Sequence, residues 1–332
     1  MNITVAGSGS WGTALAICLC ENGHEVTLWS HNPAKAAAIN ESRVNPSLKD
    51  IRLPDALSVS GDPKCVSQSE MVVIASPSFA IRSVCRSVAP YLRADALMVS
   101  VTKGIEPGTL MRMSQIVEEE TGRAVVALTG PSHAEEVARR MPTACLAACP
   151  DKEKAEIVQV AFMSDYFRIY TSPDIVGAEL GGAIKNVMAL CAGVTDGMGC
   201  GDNTKSMLIT RGLTEMARLG TAMGAKMVTF AGLSGVGDLT VTCTSRHSRN
   251  CRAGTYIGSG LSPAEAMEKA GGVVEGYYAA KSIHELALQM GVDMPIVSAA
   301  HAVLYEGIST QEVVQTLMQR SRKAESEFMG WD

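Results

Sequence analysis

The stretch VAGSGSWGTALA (residues 5–16) decides how the first half of this chain folds. It sets Gly7-x-Gly9-x-x-Gly12 directly after the apolar run that begins at Ile3 and directly before a stretch with helical spacing. A lone GxGxxG is a weak signal, but between a strand and a helix each glycine has a task. Gly7 makes the tight turn, Gly9 lets the backbone approach a pyrophosphate, and Gly12 lets helix pack on strand. The helix start then offers free N–H groups and a positive dipole end to phosphates, with Ser10 and Trp11 where backbone amides meet a dinucleotide.

Outward from that turn, short β-rich runs alternate with helical ones. Strands are predicted at 3–7, 25–30, 71–76, 96–102, 124–130, 143–149 and 166–172, and helices at 10–22, 33–42, 78–92, 108–121 and 151–163. Such alternation builds a parallel sheet covered on both faces. After Ser172-Pro173-Asp174, residues suited to capping a helix with Pro173 in its first turn, strand signals nearly vanish. Helical periodicity then dominates at 176–193, 204–223, 262–270, 275–290, 295–305 and 310–322, before a polar tail, 320–332, expected to fray. The fold class is therefore α/β: an N-terminal Rossmann-like doubly wound sheet (1–175, dinucleotide-binding) followed by an all-α C-terminal substrate and catalytic domain (176–332).

Composition narrows the function. Of 332 residues, 46% are hydrophobic and 19% charged, a globular balance long enough for two cores. The net charge of −5 comes without a basic stripe, so no nucleic-acid partner is expected. No uninterrupted apolar run reaches membrane-span length, and no basic leader precedes Ile3, so a cytoplasmic protein is expected. The ten cysteines lack metal-ligand spacing, so they read as reduced thiols and no metal site is expected.

Coenzyme choice is written at the end of the second strand. An NAD-selective site places Asp or Glu there, whereas this chain has Ser30-His31-Asn32 and then Lys35. That leaves room for the extra phosphate of NADP, so NADPH is preferred and NADH possible. Two more loops leave strand ends on the ligand-binding edge: SVTKGIEPGT carries Lys103, and ALTGPSHAEEV carries Gly130, Ser132 and Ala134.

In the helical half, GAELGGAIKNVMALCAG (177–193) places a lysine among apolar and small residues. Lys185 shares a face with Ala178, Gly181, Ala189 and Ala192. Either the lysine snorkels to water along its stem, or burial lowers its pKa and makes it a proton donor and acceptor. Further on, GLSGVGDLTVTCTSRHSRN supplies Asp238, Ser248, Arg249 and Asn250, and GGVVEGYYAA supplies Val273 and Glu275. Should SRN open a helix, its hydroxyl, guanidinium and amide would grip a phosphate.

With GSGSWGTALA, TKGIE, TGPSHAEE, LGGAIKNVMAL, GDNTKSMLITRGL, GVGDLTVTCTS, SRN and VVEGY in order, the chain resembles the bacterial-type NAD(P)-dependent sn-glycerol-3-phosphate dehydrogenases over nearly its full length. The resemblance implies interconversion of dihydroxyacetone phosphate and glycerol 3-phosphate, feeding phospholipid synthesis, with Lys185 as catalytic acid and base. It implies substrate contacts from Lys103, Gly130, Ser132, Lys185, Asp238, Ser248, Arg249 and Asn250. Dinucleotide contacts would come from Ser10, Trp11, His31, Lys103, Ala134, Arg249, Val273 and Glu275, besides Gly7, Gly9 and Gly12. On this reading the small face around Lys185 lets the helix come near the nicotinamide. The chain departs from the common pattern at His133, where an aromatic hydrocarbon ring is more usual, and at Cys200, where Phe is. Two rivals are a 3-hydroxyacid or 6-phosphogluconate-type dehydrogenase and a non-catalytic NADPH sensor. Helical substrate domains often pair, so a homodimer is expected.

Overall fold

The computed structural model describes residues 1–322, 324 and 325; the tail expected to fray lies mostly outside the described residues. Strands β1 (Asn2–Ala6), β2 (Glu25–Trp29), β3 (Ser58–Ser60), β4 (Met71–Ile74), β5 (Leu97–Ser100), β6 (Val125–Thr129), β7 (Thr143–Ala148) and β8 (Phe167–Ser172) form one sheet in the order β3-β2-β1-β4-β5-β6-β7-β8. Helices α1 (Ser10–Glu21), α2 (Pro33–Ser42), α3 (Ile81–Val88), α4 (Met113–Thr121), α5 (Ala134–Val137) and α6 (Lys152–Phe162) accompany it. Along β4 and β5 the side chains alternate between two apolar cores. Val73 and Val99 point into one with Leu15 and Phe162, while Val72, Ile74 and Met98 point into the other with Ile81 and Ile116. Burial on both faces explains why these strands read as unbroken apolar runs.

Three local expectations change. The sheet is not wholly parallel: β6 and β7 run antiparallel, because the connection between them carries only the four-residue α5 and no helix long enough for a crossover. The edge strand β3 was not predicted, since Ser-Val-Ser offers no apolar run. The helices expected at 78–92 and 108–121 shorten to α3 and α4. Pro90 stops the first, and left-handed backbone at Gly108 and Leu110 precedes the second.

The second half holds α7 (Ile175–Gly197), α8 (Asp202–Ala222), α9 (Met227–Phe230), α10 (Asp238–Thr244), α11 (Arg249–Gly258), α12 (Pro263–Ala270), α13 (Glu275–Met290), α14 (Pro295–Tyr305) and α15 (Thr310–Met318). Of these, α9 and α10 were not predicted, and α15 ends before the expected residue 322. Asp174 caps α7 by accepting from Gly177 N (2.9 Å), so Pro173 lies just ahead of the cap and not in the first turn. By length and composition α7 passes for a membrane span, yet 83% of its apolar window is buried inside the protein. It is the central helix of the second core, packed by Leu180, Ile184, Val187 and Met188.

Helices α7 and α11 meet backbone to backbone. A Cβ on Gly193 would strike the Cys251 carbonyl, and one on Gly197 the Thr255 carbonyl; Gly254 and Gly258 face the Leu190 and Val194 carbonyls in the same way. Two Gly-x-x-x-Gly pairs therefore interlock and bring the start of α11 beside the middle of α7. Across the halves, Glu179 of α7 accepts from Ser114 N (2.7 Å) and Ser114 Oγ (2.6 Å) and pairs with Arg112. This clamp fixes the loop that leads out of β5. We expect Gly254→Ala to cost about 1–3 kcal/mol by overpacking and to lower the urea midpoint; an unchanged midpoint would show that the helices do not touch there.

Candidate active site

The ends of β5 and β6 face α7, where a Cβ on Gly182 would meet Thr129 and Lys103. Lys103 follows β5, and Lys185 stands in the middle of α7. Between them lies Asp238, the first residue of α10, whose side chain is 1% exposed. Lys185 Nζ donates to Asp238 Oδ1 (2.6 Å), and Lys103 Nζ donates to Asp238 Oδ2 (2.6 Å). Each carboxylate oxygen thus serves one ammonium. Lys103 also donates to the Gly130 carbonyl (3.0 Å), which accepts from Ser132 Oγ as well (2.9 Å). Gly130 itself has φ +142° and presses on Cys145, so a side chain there is disfavoured on two grounds.

Thr242, one turn after Asp238, completes the group. Its hydroxyl accepts from Lys185 Nζ (2.9 Å) and donates to the Asp238 main-chain carbonyl (2.6 Å). Sequence reading missed this residue; the i, i+4 spacing from Asp238 was the available signal. Burial drives Lys185 from an ordinary 10.5 down to about 8, with Lys103 pushing the same way and Asp238 opposing. Burial would raise the Asp238 carboxyl, but the two ammoniums outweigh it and hold it below the ordinary range. The snorkelling alternative for Lys185 therefore fails: its ammonium points inward to a carboxylate.

The small face of α7 has a different use from the one expected. A Cβ on Gly181 would strike the Ser234 carbonyl. The face admits the kinked turn Leu233–Gly237, which delivers Asp238, and at Gly181 it is closed to any ligand.

SRN does open a helix. Ser248 caps α11 by accepting from Cys251 N (3.2 Å). Asn250 is largely committed: its amide donates to Asn186 Oδ1 (3.0 Å) and accepts from Gly276 N (2.9 Å), tying α11 to α7 and α13. Arg249 is exposed, lies against Gly272, and makes no side-chain hydrogen bond among the described residues. Glu275 accepts from Ser78 N (3.1 Å) and Ser78 Oγ (2.5 Å), and so joins α13 to the loop after β4. Burial raises its carboxyl against those bonds and the Arg249 charge. Val273 lies in the same approach to α13. Ser78 was not singled out from sequence, whereas Asn186 was noticed beside Lys185 without its partner Asn250.

The glycine loop fits a dinucleotide. Gly7 has φ +136° and abuts the Ala75 carbonyl, Gly12 abuts the Gly7 carbonyl, and Gly9 faces open space. No side chain caps α1, so the first amides of the helix remain available to a pyrophosphate. The Trp11 ring turns away into the core against Phe167 (6.5 Å), leaving its backbone at the loop. Ala134 begins α5 beside Ser132. His31 is exposed at the end of β2. Lys35 is held on the glycine loop, donating to the Ser8 carbonyl (2.7 Å).

Family models for the N-terminus and the C-terminus of NAD-dependent glycerol-3-phosphate dehydrogenase match residues 2–155 and 174–315. The chain belongs to this family. A glycerol-3-phosphate dehydrogenase [NAD(P)+] of Geobacillus kaustophilus (strain HTA426) is 51% identical over 331 residues, covering 98% of this chain and 96% of that protein. One of Bacillus subtilis (strain 168) is 46% identical, covering 98% and 96%. The crystal structure of glycerol-3-phosphate dehydrogenase from Coxiella burnetii superposes with a TM-score of 0.93 at 35% identity, covering 96% of this chain and 99% of that one. The family is thus the glycerol-phosphate one and not the hydroxyacid or 6-phosphogluconate type weighed against it.

We expect Asp238→Ala, which strands the buried Lys185 ammonium and the half-buried Lys103, to cost about 3–5 kcal/mol of stability. Lys185→Met should cost less, since Lys103 still pairs Asp238. Equal urea midpoints for wild type and Asp238→Ala would contradict the shared carboxylate.

Proposed function

We propose that this protein interconverts dihydroxyacetone phosphate and sn-glycerol 3-phosphate with NAD(P)H, supplying glycerol 3-phosphate for phospholipid synthesis in the cytoplasm. The observation that carries the reading is the Asp238 carboxylate shared by Lys185 and Lys103, joined to the start of α11, where Arg249 is uncommitted, by the bond of Asn250 to Asn186 beside Lys185. A buried acid–base group beside a phosphate grip suits a small phosphorylated ketone.

The dinucleotide, when bound, supplies the hydride. Gly7, Gly9 and Gly12 with the Ser10 and Trp11 amides would hold its pyrophosphate, and Ala134, Val273, Glu275, Lys103 and Arg249 would line the rest of its path. Ser248, Arg249 and the α11 amides hold the substrate phosphate, while Asn250 fixes the helix start that presents them. Gly130 and Ser132 close the other side. Reduction puts negative charge on the carbonyl oxygen. The Lys185 ammonium meets that charge in a site shielded from water and delivers a proton. In the reverse direction the neutral amine takes the hydroxyl proton. Asp238 and Thr242 keep the ammonium aimed, and Lys103 adds a second positive charge.

The sign of the pH dependence follows. Ketone reduction needs the ammonium, so its kcat/KM should fall as pH rises through about 8; alcohol oxidation needs the amine and should rise through the same point. Lys185→Ala should bind coenzyme yet lose ~2–4 orders of magnitude in turnover, measured by absorbance of the reduced nicotinamide. Near-normal turnover in that variant would sink the assignment.

The reading includes NADPH as the preferred coenzyme, supported by the absence of an acid at the end of β2 and by His31 there. His31→Asp should shift the ratio of kcat/KM values towards NADH, and an unchanged ratio would count against it. A homodimer paired through the helical half is also part of the proposal, supported by the exposed side chains of Met207, Val228 and Met318 on that half.

A further inference from the structure

His133 carries a buried polar atom with nothing to bond. It precedes α5, between Ser132 and Ala134, and its Nε2 is buried without a hydrogen-bond partner. A buried group left in that state is costly unless a ligand satisfies it. Its ring meets that of His247, with centroids 5.8 Å apart and planes tilted by 51°. The Lys185 charge acts on the same ring. His247 is exposed and directly precedes Ser248, the cap of α11. The two imidazoles therefore span the gap between the Gly130–Ser132 loop and the start of α11. Neither residue is used by the mechanism above.

We propose that His133 and His247 form a phosphate-facing wall of the substrate site, with the His133 ring turning on binding so that its Nε2 leaves its burial and donates to a phosphate oxygen of the triose phosphate, and with His247 flanking it. The inference rests on the proposed function, which puts the substrate between these two elements. Burial, Lys185 and His247 hold the His133 ring below its ordinary pKa, while Glu135 and Glu136 of α5 pull the other way. A ring kept neutral in the free protein still offers one N–H to an anion and avoids stacking a third cation on Lys185 and Lys103.

The test compares wild type with His133→Phe, which keeps the ring and removes its nitrogens. KM and kcat for dihydroxyacetone phosphate and KM for NADPH are measured. Calorimetric titration of the NADPH complex with inorganic phosphate adds a readout independent of turnover. We expect KM for the triose phosphate to rise about tenfold, the effect of one hydrogen bond to a charged group. Phosphate binding should weaken in parallel, with the loss falling on KM more than on kcat and KM for NADPH holding. His133→Gln, which keeps a donor, should recover most of the affinity, and His247→Ala should weaken both ligands by a smaller factor. Wild-type constants in a folded His133→Phe overturn the inference while leaving the proposed function standing. If that variant does not fold, wild-type constants in His247→Ala overturn it instead. A wild-type protein that binds NADPH but does not turn over dihydroxyacetone phosphate overturns the proposed function and the inference together.

Discussion

Two ammonium groups cannot share a dry site without a negative charge between them. Asp238 supplies that charge, one oxygen to each lysine, and much of the surrounding structure serves to put it there. The kinked turn Leu233–Gly237 must pass close to α7, and Gly181 makes the passage possible. Thr242 then ties Lys185 back to the first turn of the helix that Asp238 begins. Burial works against both partners of such an arrangement and lowers the lysine more than the carboxylate can restore. That imbalance is useful, because it leaves the lysine able to give and take a proton near neutral pH.

The lysines come from different halves of the chain, so their meeting depends on how the halves are joined. The Glu179 clamp holds the loop carrying Lys103 onto α7 through Arg112 and Ser114. Glu275 does the same between α13 and the loop after β4 through Ser78. The interlocked glycines of α7 and α11 set the separation between the acid–base group and the phosphate grip. These contacts fix distances by backbone and carboxylate geometry, which yields less to thermal motion than contact between flexible side chains.

Much of this was legible in the sequence, for identifiable reasons. The glycine turn, the alternation of strand and helix and the passage from sheet to helices are local patterns, and the structure keeps their order while shortening two helices and adding β3. Lys185 was conspicuous because a charge on a helix apolar nearly all round has to be answered. What answered it was only half legible: Asp238 stood out by its motif as a residue to orient Lys185 or the substrate hydroxyls, whereas Thr242 did not, and the two lie 53 and 57 residues away, where only folding pairs them with the lysine. The reversal of β7 and the three-residue β3 were invisible because each depends on how neighbouring strands pair and not on its own composition. The small face of α7 was correctly read as a place of close approach, but a single sequence could not say whether ligand or protein would fill it; at Gly181 it is protein. Ser78 and the Glu179 clamp escaped for the same reason, since polar residues that join halves look like ordinary surface residues until their partners are known.

The most direct test of the account is the titration of Lys185 itself. Protein carrying carbon-13 at lysine Cε can be followed by NMR through the alkaline range, with the Lys185 signal assigned by its loss in Lys185→Arg. The account predicts a midpoint near 8, well separated from the surface lysines. A midpoint at the ordinary 10.5 would mean that Lys185 is not held as described, and the acid–base role assigned to it would fall.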